Sequence, residues 1–476
     1  MNQNSLFVLL NIPNDGTYNI NKVEDNGSIK YIDISRPASP TFCPYCGEIM
    51  HSRGLTTRTV NHPIMQDGSS IILKVHQRRW RCTGCNFEEN ESYPFLPKYS
   101  RSSSITPFLV LEALKDLNRS AVSVAEQFNI SDSTVHNIFS QYVDLKRLPL
   151  PEYISIDEVY MNISSNELYA FVIMDFITGE IVDIVHNRWA STLDYYFSSI
   201  DRAERENIKG VISDAYDPYQ KLCERFFPNA VQILDSFHVV KFINNRINQY
   251  INDRLKKERK KQQEKLDYKN YTTNSEYHSI KDSKEIILLR DYRWVLLKDQ
   301  DSINYGYERY YHSKLGMNVD TYQIETMFLS LDKNFSTIRN LKEMYIRFNN
   351  SQYRNSDEIK IELDKIISTY KNCELEMFRD FALFLERFKD SIIRSFTTIV
   401  CVRKSKKDLE SHYSRLSNGP MEGFNRKPKD YKRNSRGFSN FDYTRNRILW
   451  ATRRNPPILA LPKSLKLVHS YHRKKK

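Results

Sequence analysis

Two groups of side chains have the types and spacing to do chemistry. The first is a pair of C-x-x-C knuckles, Cys43-Pro44-Tyr45-Cys46 and Cys82-Thr83-Gly84-Cys85. Each presents two thiols from one tight turn, and four thiolates complete the tetrahedral shell that Zn²⁺ prefers. A closed shell leaves no position for a reacting molecule, so this zinc is expected to be structural. His62 and His76 lie nearby in the sequence but are not needed as ligands. The alternative is a redox dithiol, which normally sits in a βαβ setting that this stretch lacks. Cys223, Cys373 and Cys401 are scattered, and an odd total of seven without a recognisable leader argues against a disulfide framework.

The second group is acidic. Asp157 falls inside a run of alternating apolar residues, Tyr153 to Met161, and Asp214 closes another, Ile208 to Ser213. A carboxylate in a buried strand is costly unless it is paired or holds a cation. Two of them in one sheet of a basic protein predict a shared metal site of the kind phosphodiester cleavage uses, with two Mg²⁺ about 3.5–4 Å apart. Hard oxygen donors suit that ion. Taken singly, each Asp has the alternative of an ordinary structural hydrogen bonder. A third acid, Glu422, stands among bases in Ser417-Asn418-Gly419-Pro420-Met421-Glu422-Gly423-Phe424-Asn425-Arg426-Lys427, followed by Lys432-Arg433 and Arg436-Gly437-Phe438.

Several kinds of element must position these groups. The first forty residues read as a small β-rich start. Ser70 to Arg81 alternates (Ile71, Leu73, Val75) as a strand leading into the second knuckle. From Thr106 the period becomes helical, with Thr106-Pro107 as cap and first turn. A short segment, Ser123 to Phe128, is followed by Asn129, which tolerates a left-handed turn. Ser131 or Ser133 then caps a helix carrying Val135, Ile138 and Phe139. This is the pattern of a helix-turn-helix, with Ser133, Thr134, His136 and Asn137 as the candidate base readers; a plain helical hairpin is the alternative.

Pro149 and Pro151 mark a boundary. Beyond it, strands at Tyr153 to Met161, Leu168 to Phe176 and Glu180 to His186, a helix over Ala190 to Arg205, and strands ending near Asp214 and Asp235 indicate a mixed α/β sheet. From about 240 to 410 the spacing is helical, with stripes such as Ile324, Met327, Phe328, Leu331 and Phe335 reading as core. The basic tract Arg254 to Lys261 is either a solvated face or a phosphate-contacting surface.

At 476 residues several domains are expected. A net charge of +13, from 71 Lys and Arg against 58 acids, favours polyanions. No apolar run reaches the roughly 20 residues of a membrane span, and no single basic amphipathic helix dominates. A soluble, cytoplasmic partner of nucleic acid, with no membrane role, is the resulting expectation.

The Glu422 segment closely resembles the corresponding segment of the ISL3 family of bacterial transposases. Ile156-Asp157-Glu158 resembles that family's first-Asp strand, and Ser213-Asp214 through Tyr219 its second. Asp235-Ser236-Phe237-His238-Val239-Val240-Lys241 resembles its Asp-x-Phe-His-x-x-Lys stretch. The order of parts is similar over roughly residues 40 to 455.

The resemblance implies an Asp-Asp-Glu site on a ribonuclease-H-like core, with Asp157, Asp214 and Glu422 as catalytic ligands of Mg²⁺ or Mn²⁺. Asp235 and His238 then become candidates to orient water or phosphate, the alternative being a strand-end hydrogen-bond pair. Glu158 points to the opposite side of its strand.

The fold class expected is a multidomain α+β chain. Its parts are a β-rich start (1–40), a zinc ribbon (41–100), a helix-turn-helix (101–148), a core (149–240 and 411–455) interrupted by a helical insertion (241–410), and a basic tail (456–476). The implied partners are double-stranded DNA, at element ends and target, and further copies of the chain in a dimer or larger assembly. Arg426, Lys427, Lys432, Arg433 and the final Arg473-Lys474-Lys475-Lys476 are candidate backbone contacts. The sequence departs from the family pattern at Pro428, where a proline would kink or end the helix. A transposase-derived regulator without catalysis is the alternative, and a repair nuclease a further one.

Overall fold

The computed structural model describes residues 3–14, 16–63, 68–164, 167–265, 282–306, 308–351, 355–402, 412–435 and 440–473. The chain divides into two compact units. One is Met1–Leu148 with Val159–Ala170 and Asn425–Lys476; the other is Pro149–Glu158 with Phe171–Phe424.

The first unit opens with a helix, α1 (Gln3–Leu9), where a β-rich start was expected. Its apolar run winds because Phe7 and Leu10, one turn apart, are both buried on one side. The strands β1 (Asn19–Asp25), β2 (Ile29–Ser35), β3 (Thr41–Phe42), β4 (Ile49–His62), β5 (Ser70–Cys82) and β6 (Glu88–Asn90) follow. They form one sheet in the order β1-β2-β5-β4-β3, with β6 also on β5. Pairing of β2 with β5 continues that sheet across residue 40. Ile71, Leu73 and Val75 alternate inward as expected, against Ile32, Ile34 and Val60.

Three helices come next, α2 (Thr106–Ala113), α3 (Ala121–Phe128) and α4 (Asp132–Tyr142). The hydroxyls of Ser120 and Ser131 accept hydrogen bonds from Ser123 N (3.1 Å) and Thr134 N (3.2 Å), capping α3 and α4. Asn129 takes the left-handed conformation (φ 50°) that the turn requires. Thr106 does not cap α2. The turn begins a residue earlier, with Phe108 N bonded to Ile105 O, and the Thr106 hydroxyl is buried without a hydrogen-bond partner.

Next along the chain, β7 (Tyr153–Ser164) and β8 (Glu167–Asp175), whose residues 159–170 are counted with the first unit, and β9 (Ile181–Val185) of the second unit precede α5 (Ala190–Ser198) and α6 (Arg202–Glu206). The single helix expected over 190–205 is broken because Asp201 caps a new one, accepting from Ala203 N at 2.8 Å. Then come β10 (Gly210–Ser213), α7 (Asp217–Phe226), β11 (Val231–Leu234) and α8 (Ser236–Lys265). The sheet order is β11-β10-β7-β8-β9, with β10 parallel to both of its neighbours. Ile154, Ser155, Ile156 and Asp157 of β7 are all buried, so this stretch of the strand is covered on both faces.

Helix α8 leaves β11 directly. Val239, Ile243, Ile247, Ile251 and Leu255, four apart, bury one stripe of it in a helical core. That core is completed by α9 (Lys284–Asp291), α10 (Trp294–Leu297), the hairpin β12 (Tyr310–His312) with β13 (Met317–Val319), α11 (Thr321–Leu329), α12 (Phe335–Asn350), α13 (Ser356–Lys371), α14 (Glu376–Arg387) and α15 (Lys389–Thr397). β14 (Ile399–Val402) pairs with β15 (His412–Arg415), and the chain enters α16 (Gly419–Asn434). This helix runs through Pro428 and six residues beyond it, where an end or kink was expected. Pro428 is buried, and the helix has no backbone donor there.

The last helices, α17 (Phe441–Thr452) and α18 (Leu465–Arg473), belong to the first unit. Trp450 Nε1 donates to Leu111 O (2.8 Å), the buried Arg447 to Asp116 O (2.8 Å), and Arg453 to Lys146 O (2.8 Å). Tyr443 meets Phe139 edge-on at 5.1 Å. Residues 441–452, expected within the final part of the core, therefore pack as a fourth helix on α2 and α4. No helix of the described residues is long and apolar enough to cross a membrane.

Candidate active site

Register places the first two acids. β10 and β7 run parallel with Val211 beside Ile154 and Ile212 beside Ser155. Continued by two residues, the same register brings Asp214, just past the end of β10, level with Asp157. Residues level on neighbouring strands share a face. Asp157 is 9% exposed, and burial, then the Asp214 carboxylate, push it up to about 6. Like charges in a dry setting resist full ionisation unless a cation joins them.

Glu158 does face the other way. It is ion-paired with Arg188 and accepts a hydrogen bond from Tyr219 Oη at 2.7 Å.

Asp235 ends β11 and His238 sits in the first turn of α8. His238 Nε2 lies 2.7 Å from Asp214 Oδ1 and 3.8 Å from Asp235 Oδ2. Burial works against its charged form, but Asp214 and Asp235 outweigh that and hold it above its ordinary value. Asp235 is fully buried, and its Oδ2 receives no hydrogen bond.

Glu422 lies in the first turn of α16 and is half-buried. Burial, and next Asp235, raise its pKa; Asp214 adds to the same effect. All three expected acids thus belong to the second unit, with Asp235 and His238 among them. Among the described residues, the tightest acid–histidine group able to hold a cation is Asp214, Asp235 and His238, with atoms within 4.8 Å of one another. Asp157 and Glu422 are not members of that group.

The second candidate metal centre is the cysteine group. Cys43 and Cys85 Sγ are 3.4 Å apart, Cys46 and Cys82 3.3 Å, and Cys46 and Cys85 3.6 Å. A tetrahedral shell with bonds of about 2.3 Å has sulfur–sulfur edges of roughly 3.8 Å, close to these values. The pairing of Met50 with Cys82 across β4 and β5 holds the two knuckles together.

The expected readers on α4 divide. Ser133 is exposed and Thr134 half-buried. His136 and Asn137 line a groove of about 690 Å³ shared with Arg119, Tyr443 and Arg447, and the His136 ring is 5.0 Å from that of Tyr443. That wall was missed in the sequence; the apolar triplet Ile448-Leu449-Trp450 was its signal.

On α16, Arg426 and Lys427 are exposed, Lys432 lies 5.0 Å over the Tyr160 ring, and Arg433 pairs with Asp430 at 3.2 Å. In the 254–261 tract, Arg254 is tied to Glu258 (2.5 Å) and Asp332 (3.2 Å), and Lys261 to Glu258. That portion is a self-neutralised face. Arg436-Gly437-Phe438 and Lys474 to Lys476 lie outside the described residues.

Comparison with known proteins bears on both the helix-turn-helix module and the mixed α/β unit with its grouped acids. A family model described as "Transposase" matches residues 154–448, well over half of the chain. A second, described as the helix-turn-helix domain of transposase family ISL3, matches residues 91–143. The chain belongs to the ISL3 family of transposases. The transposase for insertion sequence element IS1001 of Bordetella parapertussis is 26% identical over 237 residues, covering 47% of this chain and 56% of that protein. The chain therefore matches little more than half the length of that relative.

Proposed function

We propose that the protein is an active transposase. On this reading it binds the terminal inverted repeats of an insertion sequence and catalyses divalent-metal-dependent DNA cleavage and strand transfer with Asp157, Asp214 and Glu422. The observation that supports it is the register that sets Asp157 of β7 level with Asp214 at the end of β10, together with the Asp214 charge that acts on Glu422 in the first turn of α16. Counted from β7, the strand order 3-2-1-4-5 with the last two strands parallel to the first supports a ribonuclease-H-like core.

The residues fit a divalent cation. Their donors are hard oxygens, and the buried Asp157 carboxyl faces the like charge of Asp214, a repulsion that a cation would relieve. Held by Asp157, Asp214 and Glu422, Mg²⁺ or Mn²⁺ supplies positive charge that offsets the charge building on the reacting phosphoryl group. His238 fixes the Asp214 carboxylate. The exposed Arg426 and Lys427 grip strand backbones, and α4 reads the repeat. Hydrolysis at the element end breaks one P–O bond and forms another, freeing a 3′-hydroxyl. Attack of that hydroxyl on target DNA again exchanges one such bond for another, so no outside energy source is needed. Bringing two ends together requires a dimer or larger assembly. Four thiolates in the spacing above suit a structural zinc that stiffens the N-terminal module.

The test is cleavage of a labelled duplex carrying the element's end, with and without Mg²⁺, by the wild type and Asp214→Asn. Metal-dependent cleavage that the variant loses while still binding DNA supports the reading. Binding without cleavage by either protein makes the chain a regulator, and undiminished cleavage by the variant moves the active site elsewhere.

A further inference from the structure

We infer that Asp235 is a positioning residue that sets the Glu422-bearing helix through the main chain of Asn418, an inference resting on the active-site reading above. Asp235 is 0% exposed at the end of β11. Its Oδ1 accepts the backbone N–H of Asn418 at 3.0 Å, across 183 residues of sequence, and that of Phe237 at 3.4 Å.

Asn418 is itself fully buried, directly before α16, and its carbonyl accepts the Glu422 N–H at 3.0 Å. One residue is thus tethered through its backbone nitrogen to the sheet and through its carbonyl oxygen to the residue that bears the third acid. A carboxylate at this place also suits the positive end of α16, where free N–H groups and the helix dipole favour negative charge.

The side chain of Asp235 therefore has a task that a metal ligand does not need. The acceptance of the Asn418 N–H needs only a carbonyl-like oxygen, whereas ligation of a divalent cation needs the charge. This difference separates the two roles. If the tether is lost, α16 begins from a free end, and displacement of a reacting group by about 1 Å costs on the order of a hundredfold in rate.

The experiment uses the full chain as wild type, Asp235→Ala, Asp235→Asn and Asp214→Asn. Three quantities are read: hydrogen exchange of the peptide spanning 416–424 without metal, kcat and KM for end cleavage, and Mn²⁺ affinity by calorimetry. In D235A the peptide is expected to exchange at least about tenfold faster, and kcat to fall about a hundredfold with KM for DNA unchanged. In D235N the amide oxygen restores the tether, and both protection and kcat return to within about threefold of wild type, with Mn²⁺ affinity kept.

A D235N variant that keeps the peptide protected but loses Mn²⁺ affinity and cleavage as D235A does overturns the inference and makes Asp235 a ligand. Unchanged exchange in D235A also overturns it. If D235A does not fold, D235N decides alone on the same three readings. Undiminished cleavage by D214N removes the active-site reading instead, leaving the exchange result to judge the tether.

Discussion

The indole of Trp450 donates its Nε1–H to the carbonyl of Leu111, 339 residues earlier, at 2.8 Å, and both residues are buried. The hydrogen bond ties α17 to α2 in the interior of the helix-turn-helix module. Around it, Arg445 Nη1 donates to Leu145 O and Asn446 Oδ1 accepts the Leu145 N–H. The module is a four-helix body built from two distant stretches of chain.

Trp450→Ala is expected to destabilise the first unit by about 3–5 kcal/mol, the usual cost of emptying a large aromatic site in a core. Thermal melting should show an earlier transition, and binding to an end-bearing duplex should weaken with it. A variant melting within a degree of wild type would mean that α17 is not part of this core.

His62 is 4% exposed, with Nδ1 3.0 Å from Ser103 Oγ, and burial pulls its pKa down to about 4. The sign follows from proton uptake. Between about 4 and 6.5 the unfolded chain binds a proton that the folded chain refuses, so stability is full above pH 6.5 and is lost as pH falls. By pH 5 the loss amounts to about 2 kcal/mol. Urea melts at pH 7.5 and 5 should show the wild type losing about 2 kcal/mol more unfolding free energy than His62→Gln. Equal losses would mean that the imidazole takes up its proton as readily in the folded chain as in the unfolded one.

Removing zinc should loosen the paired knuckles. Purified protein is expected to release one zinc per four thiols on treatment with a thiol-modifying reagent, and Cys46→Ser to lose it during purification. The β3–β6 portion should then become protease-sensitive. Metal-free protein with intact β4–β5 protection would show that Cys43, Cys46, Cys82 and Cys85 are not a folding centre.

Arg426 and Lys427 are both exposed on α16. If each neutralises a phosphate, the double change to alanine lowers the slope of log affinity against log salt by about 2 and weakens binding to all sequences alike. A drop confined to the element's end would assign them to sequence reading instead.

Much of this arrangement was legible because it is local. Alternation located β5 and β7, and a turn-forming Asn129 followed by a capping serine located the end of α3 and the start of α4, since turns, caps and periods are short-range. The knuckles were readable from residue type and spacing, Asp157 and Asp214 drew notice by their strands, and Glu422 stood out only through the resemblance of its segment to the family. What was not readable depended on tertiary partners. Phe7 and Leu10 form a helix face only once a sheet lies beside them. Asp201 breaks the expected helix by capping a new one. Thr106 yields its capping place to a bond from Ile105, and Pro428 stays inside a helix that packing sustains. The helix at 441–452 was read with its sequence neighbours, because nothing within twenty residues of Trp450 reveals Leu111 as its acceptor.

The two-part construction of the helix-turn-helix also fixes when this module can first be complete. A chain emerging from the ribosome has α2, α3 and α4 early, but their interior stays open until α17 has been synthesised, after Glu422. A product ending before residue 441 lacks the helix that finishes the DNA-binding body. Premature stops or frameshifts upstream of that point therefore yield fragments whose helix-turn-helix module lacks one wall of its interior.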